Sequence, residues 1–174
     1  MVISPLTFLA RPERWLWAIH KYRGTLSGGP NFAYELCLHR LAQADLSGLD
    51  LSCWRFAFND AEPVSLLTMR KFTARFARHG LRAQAAAPVY GLAEASVGLT
   101  FPTPGQSLTA DRIDRAAFVR TSRAVPADGN ADRSAGERDQ MEIPSCGRPL
   151  PGHEIRIVDA SGRELPERQE GLLQ

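Results

Sequence analysis

The sequence predicts an α/β fold: a partial, mostly parallel sheet with flanking helices, then a loop-rich segment and a short β segment near the C-terminus. Three observations predict it. Strand candidates recur at roughly 30-residue intervals with a helical pattern between each pair, the length of a βαβ unit, and such repeats build parallel sheets covered by helices. Each candidate strand runs into a loop of Gly, Asn, Asp or Tyr. After Gly98 the texture changes to Pro, Gly, Asp and Arg, with alternation returning only near the end. The expected divisions are a partial α/β subdomain over 1–100, a loop-rich insertion over 101–145 and the start of a β subdomain over 146–174.

Taken in order, residues 12–22 open with Pro12 and place Trp15, Leu16 and Ile19 at helical spacing between Glu13, Arg14 and Lys21. Thr25-Leu26-Ser27 is a short strand candidate leading to Gly28-Gly29. A second helix is expected from Pro30, with Phe32, Leu36 and Leu41 facing inward. Trp54 to Phe58 reads as a strand ended by Asn59 and Asp60. From Ser65 to His79, Leu66, Met69, Phe72 and Phe76 form one helical stripe, and Gly80 stands where a left-handed cap belongs. Gln84 to Val89 is the third strand. Beyond Gly98, DRIDRAAFVR hints at a helix, and PADGNADRSAGERDQ is expected to be a mobile loop. His153 to Asp159 alternates as a half-buried strand before the turn Ala160-Ser161-Gly162. The ending GLLQ, apolar and without a cap, suggests truncation.

Composition narrows the classes. With 44% hydrophobic and 23% charged residues among 174, the chain has the makeup of a globular domain that buries a core. The net charge is +2 and the arginines are scattered, so a nucleic-acid surface has no support. Cys37, Cys53 and Cys146 lie far apart, which reads as reduced thiols in a cytosolic protein rather than a disulfide frame or metal site. The N-terminus does not read as a signal peptide, and no stretch approaches the ~20 apolar residues of a membrane span. The cytosol is the expected compartment.

Because all three candidate strands would be parallel, the loops after them gather on the carboxyl edge, where open α/β sheets bind ligands. In FNDAEPV, Phe58 to Val64, small Ala61 leaves room for a flat ring on the backbone. The plainer reading is a helix entry, with Glu62 favourable at the positive end of the helix dipole. In YGLAE, Tyr90 offers a stacking face, Gly91 lets a phosphate approach the backbone, and Glu94 is a hard oxygen ligand suited to Mg²⁺. The plainer alternative is a tight turn with a surface Glu. GGPNFAYEL, Gly28 to Leu36, is either a third ligand-facing loop or the capped start of a helix. The four histidines show no metal or triad spacing, and no G-x-S-x-G occurs.

In this order, SPLTFLARPERWL, SGGPNFAYELC, FNDAEPV, YGLAE and SCGRPLPGHEIRIVD resemble the middle of the adenylate-forming (acyl-CoA synthetase-like) superfamily, over roughly residues 4–174. Within it the chain is most similar to the N-terminal domain of fatty acyl-AMP ligases, in NFAYEL and in Ala93, where CoA ligases more often carry Thr. The stretch of about 100–145 resembles their insertion. The resemblance implies that Tyr90 stacks on the adenine of ATP, whose other face lies on Asp60, Ala61 and Glu62. It implies that Gly91, Leu92 and Ala93 pass near the α-phosphate, that Glu94 holds Mg²⁺ as the catalytic metal ligand, and that Asn31, Phe32 and Ala33 line a fatty-acyl tunnel. The reaction implied turns a fatty acid and ATP into acyl-adenylate and pyrophosphate, for transfer to an acyl carrier protein or polyketide synthase. An acyl-CoA synthetase portion, or a non-catalytic remnant or binding module, are the alternatives.

Two departures stand out. Position 60 is usually Gly in the ligases compared, and Asp60 brings an anion near the nucleotide. The phosphate loop expected upstream is not among these residues, and the ribose-binding Asp, the hinge and the domain with the catalytic Lys are expected beyond Gln174. The 174 residues alone are therefore expected not to turn over.

Overall fold

The computed structural model describes residues 2–95, 97–127 and 139–174. Its contacts divide the chain into two compact units, Met1–Leu108 with Cys146–Arg148, and Thr109–Ser145 with Pro149–Gln174.

The first unit opens with α1, Pro5–Ala10, a short helix with proline at its first turn. Helix α2, Glu13–Tyr22, buries Trp15, Leu16 and Ile19 as their spacing predicts. It ends at Arg23, which takes the left-handed conformation (φ 51°) and donates its N–H to the His20 carbonyl. The Arg23 guanidinium then meets Asp50 at 2.6 Å, and the Asp50 N–H donates to His20 Nδ1 at 3.0 Å. One side-chain relay thus fixes the exit of α2 against a loop 27 residues away.

Three strands follow at the expected intervals: β1 Leu26–Gly29, β2 Phe56–Asn59 and β3 Ala86–Pro88. They form one sheet in the order β1-β2-β3, every pair parallel. The connections are α3, Asn31–Arg40, and α4, Leu66–Phe76, completing two βαβ units. The α4 stripe is as the sequence spells it, with Leu66, Met69, Phe72 and Phe76 all buried. A 3₁₀ turn, Ala77–His79, then leads to Gly80 at φ 85°, the left-handed cap.

Helix α3 corrects one expectation. Its inward face is Ala33, Tyr34, Cys37 and the following Leu41, while Phe32 is 47% exposed and Leu36 only half-buried. The apolar residues of this helix spread around it, and the buried polar Asn31 sits on the inward side, so no stripe reveals the register.

An aromatic cluster binds α2, α3, α4 and the β2 approach together. Trp15 meets Tyr34 and Trp54 edge-on at 5.4 and 5.2 Å between centroids, and Phe72 meets Tyr34 at 4.9 Å and Phe76 at 4.7 Å. The polar tips are paired, as buried Trp and Tyr require. Trp15 Nε1 donates to Ser27 Oγ, Trp54 Nε1 to the Ser27 and Phe56 carbonyls, and the Tyr34 hydroxyl to the Phe58 carbonyl at 2.6 Å. Gly28 lies opposite Phe58 in the ladder, and a Cβ there would stand 2.6 Å from the Phe58 ring. Glycine at this position is what lets β1 approach β2.

Strand β4, Thr100–Phe101, also belongs to the first unit. In the second unit, β5 Ala110–Asp114 pairs antiparallel with β6 Gln140–Pro144, and α5, Arg115–Thr121, starts directly from β5. The hint of a helix over DRIDRAAFVR is thus half right: its first residues are strand. Only Ile113 of β5 is buried, so the strand is too short to show period-two alternation. Asp114 ends β5 and caps α5, its carboxylate accepting from the Ala117 N–H at 2.7 Å. Of PADGNADRSAGERDQ, residues 128–138 lie outside the described residues. Of the strand expected over His153–Asp159, only Ile157–Val158 forms, paired with Leu172–Leu173, because its partner is two residues long. The predicted turn follows: the Asp159 carboxylate accepts from the Ser161 N–H and Gly162 sits at φ 81°.

Candidate functional site

The parallel register aligns the three strand ends: Gly29 lies opposite Asn59, and Asn59 opposite Pro88. The segments Pro30–Ala33, Asp60–Glu62 and Val89–Glu94 therefore leave one edge of the sheet side by side.

The first segment enters α3. Pro30 is its N-cap residue and offers no side-chain cap. Asn31 is buried and bonded at both ends of its amide: its Oδ1 accepts from Asn59 Nδ2 (3.0 Å) and from the Ser65 N–H (3.1 Å), and its Nδ2 donates to Glu35 Oε1 (2.9 Å). Glu35 Oε1 also accepts from Thr68 Oγ1 at 3.0 Å. Ala33 is buried, and Phe32 points outward. Asn59 Oδ1, fully buried, has no hydrogen-bond partner among the described residues.

In the second segment, Asp60 is half-buried, and loss of water pushes its carboxyl above the ordinary aspartate range. Ala61 adopts φ 66°, a left-handed conformation that costs a non-glycine residue about 1–2 kcal/mol. Glu62 does not serve the helix that follows it. Its carboxylate accepts the Phe32 N–H at 2.6 Å, capping α3, while α4 is capped by Ser65 Oγ accepting from the Thr68 N–H at 3.2 Å.

In the third segment, Tyr90 is 43% exposed and its backbone is fixed by pairing with Thr100. Gly91 is needed for a close approach within its own loop. The Val97 carbonyl and Gly98 crowd its Cα, with Gly98 Cα 2.9 Å from where a Cβ would lie. The Leu92 carbonyl accepts from the Ala95 and Val97 N–H groups, both at 3.0 Å, which folds Ala93–Ala95 into a 3₁₀ turn with Glu94 exposed. Val97 closes this turn at φ 75°, a rare conformation for a β-branched residue.

A cleft of about 930 Å³ lies along the sheet face opposite α3 and α4, lined by Leu26, Phe56, Phe58, Asp60, Val89 and Phe101 among others. Asp60 is the one residue of the sequence-derived set that lines it. Tyr90, Glu94 and Asn31–Ala33 share the edge without entering the cleft. Phe58, Val89, Val97 and Phe101 were not singled out from sequence. The alternation of Phe56 and Phe58 was the available signal, since period two puts both on one face. Among the described residues no group of three or more His, Cys, Asp or Glu is arranged to hold a metal.

The sequence profile of the AMP-binding enzyme family matches residues 1–173. The chain belongs to the AMP-binding enzymes. Among curated AMP-binding relatives it is 36% identical over 161 residues to the medium-chain-fatty-acid–[acyl-carrier-protein] ligase TtuA of Teredinibacter turnerae, covering 92% of this chain and 24% of that protein. It is 39% identical over 165 residues to the corresponding ligase JamA of Moorena producens, covering 91% and 26%. Among solved structures, the fatty acid AMP ligase of Legionella pneumophila superposes with a TM-score of 0.86 at 38% identity, over 98% of this chain and 28% of that one. A fatty acyl-adenylate ligase of the same organism, solved with acyl adenylate and pyrophosphate, gives 0.86 at 37%. The chain thus spans about a quarter of the length of the relatives it matches. No helix of the described residues is long and apolar enough to cross a membrane.

Proposed function

We propose that the chain supplies one wall of the site in a fatty acyl-AMP ligase, where a fatty acid and ATP become acyl-adenylate and pyrophosphate. The observation that supports this most is the delivery of Pro30–Ala33, Asp60–Glu62 and Val89–Glu94 to one edge of a parallel sheet by strict register. Relatives that are fatty-acid–[acyl-carrier-protein] ligases and a long-chain-fatty-acid–AMP ligase support the substrate class.

In this reading the exposed Tyr90 ring stacks on adenine, and the Asp60–Glu62 backbone, with Ala61 exposed and left-handed, receives its other face. Gly91, Leu92 and Ala93 run beside the α-phosphate, and Phe32 and Ala33, set by Asn31, border the acyl chain. Glu94 would hold Mg²⁺, which supplies charge neutralisation on the phosphates. The substrate carboxylate attacks the α-phosphorus and pyrophosphate leaves. The step depends on positioning and charge more than on acid–base groups. The acyl group then passes to an acyl carrier protein or polyketide synthase, in the cytosol, where the thiols of Cys37, Cys53 and Cys146 stay reduced.

The test is calorimetry of the chain with a non-hydrolysable acyl-sulfamoyl adenosine. Saturable binding is expected, and heats no larger than dilution would overturn the reading. The 174 residues alone are expected to give no ATP–pyrophosphate exchange above background with a fatty acid, since they span about a quarter of the ligases they resemble.

A further inference from the structure

The turn after β2 is tied to the first turn of α3 at three points, and one of them is a charged side chain reaching across 30 residues. The first N–H groups of a helix have no partner within it. At α3 the N-cap residue is Pro30, whose side chain cannot accept a bond. Glu62 fills the gap, its carboxylate accepting the Phe32 N–H at 2.6 Å, where a negative charge also meets the positive end of the helix. On either side of Glu62 along the chain, Asn59 Nδ2 and the Ser65 N–H both donate to Asn31 Oδ1, at 3.0 and 3.1 Å. Between these ties the backbone passes through the left-handed Ala61. A strained residue persists where its surroundings over-determine it, and here the surroundings are the ties to α3.

We propose that Glu62 is a positioning residue that clamps the Asp60–Glu62 turn to the entrance of α3, so that two loops of the site are held as one surface. The proposal rests on the adenylate-site reading above and deepens it. A ligand touching only one loop gains little from the clamp. A ligand bridging both, as an acyl-adenylate does, gains from their fixed register, because neither loop has to be ordered on binding. The bonds from Asn59 and Ser65 to Asn31 alone cannot do this: they anchor the two ends of the segment, and Glu62 anchors its exposed middle.

The test compares Glu62→Ala and Glu62→Gln with the unaltered chain by two measurements. Amide hydrogen exchange at Phe32 is expected to speed about tenfold or more in Glu62→Ala, the weight of one charge-assisted hydrogen bond, and to be largely restored in Glu62→Gln, which keeps the accepting oxygen. Calorimetry with the acyl-sulfamoyl adenosine is expected to weaken about tenfold in Glu62→Ala, against less than about twofold for AMP alone. Unchanged exchange at Phe32, or equal losses for AMP and the bridging ligand, would overturn the clamp. If the unaltered chain binds no analogue, the ligase reading fails by itself, and the exchange at Phe32 still decides whether Glu62 holds the two loops.

Discussion

Single residues here carry electrostatic burdens that burial imposes. Asp60 loses water at the cleft, and its carboxyl is pushed up rather than down. A carboxylate at that place opposes a triphosphate, so Asp60→Asn is expected to tighten ATP binding by about fivefold, on the order of 1 kcal/mol, as read by calorimetry. Unchanged or weaker binding would mean that Asp60 does not face the nucleotide. Cys37 is a second case. Burial pushes its thiol from 9.0 up to about 12. The unfolded chain therefore ionises first as pH rises, and the stability contributed by the neutral thiol is full below pH 9 and lost towards pH 12. Thermal unfolding at pH 8 and 10.5 is expected to show a fall in Tm that Cys37→Ala reduces. What remains belongs in part to Tyr34, whose hydroxyl is raised in the same direction by its burial. Neither shift is legible in the sequence, where Cys37 and Asp60 are only letters. Each shift comes from neighbours brought in by the fold.

At the scale of elements, the sequence discloses α4 and conceals α3. The α4 stripe is read directly because Leu66, Met69, Phe72 and Phe76 all point one way and Gly80 marks the stop. Phe72 is the member that meets the most rings, at Trp15, Tyr34, Trp54 and Phe76. Phe72→Ala is expected to cost ~3–5 kcal/mol in urea unfolding, the usual range for emptying a packed aromatic site; a loss below 1 kcal/mol would mean the cluster collapses around the hole. In α3 the exposed Phe32 and the buried Asn31 reverse the usual sorting, so apolarity gives the wrong face. The loops after the strands were legible because Gly28-Gly29, Asn59-Asp60 and Tyr90-Gly91 are residues that end strands. The bond from Phe32 to Glu62 was not, since it exists only once Gly29 lies opposite Asn59. Gly28→Ala probes that register: the added Cβ would meet the Phe58 carbonyl and ring, and overpacking of this kind costs ~1–3 kcal/mol. Retained stability in that variant would show that β1 can shift away from β2.

Within the first unit, a cleft runs along one face of the parallel sheet. Such sheets usually have both faces covered, yet here Leu26 is 65% exposed beside the cleft that Phe56, Phe58 and Phe101 line. Anilinonaphthalene sulfonate is expected to fluoresce on this face in the folded chain, and Leu26→Lys to lower the signal without lowering Tm. A signal that persists unchanged would place the dye elsewhere. The same sheet also orders the events of synthesis. Every strand pair joins segments on opposite sides of a whole helix, so β1 has nothing to pair with when it leaves the ribosome, and must wait until Phe56–Asn59 has emerged. During that interval the nascent chain carries the α2 and α3 segments but no ladder to pack them on. The Glu62 cap on α3 arrives last of the ties at that helix entrance except Ser65, within a fraction of a second of translation after β2.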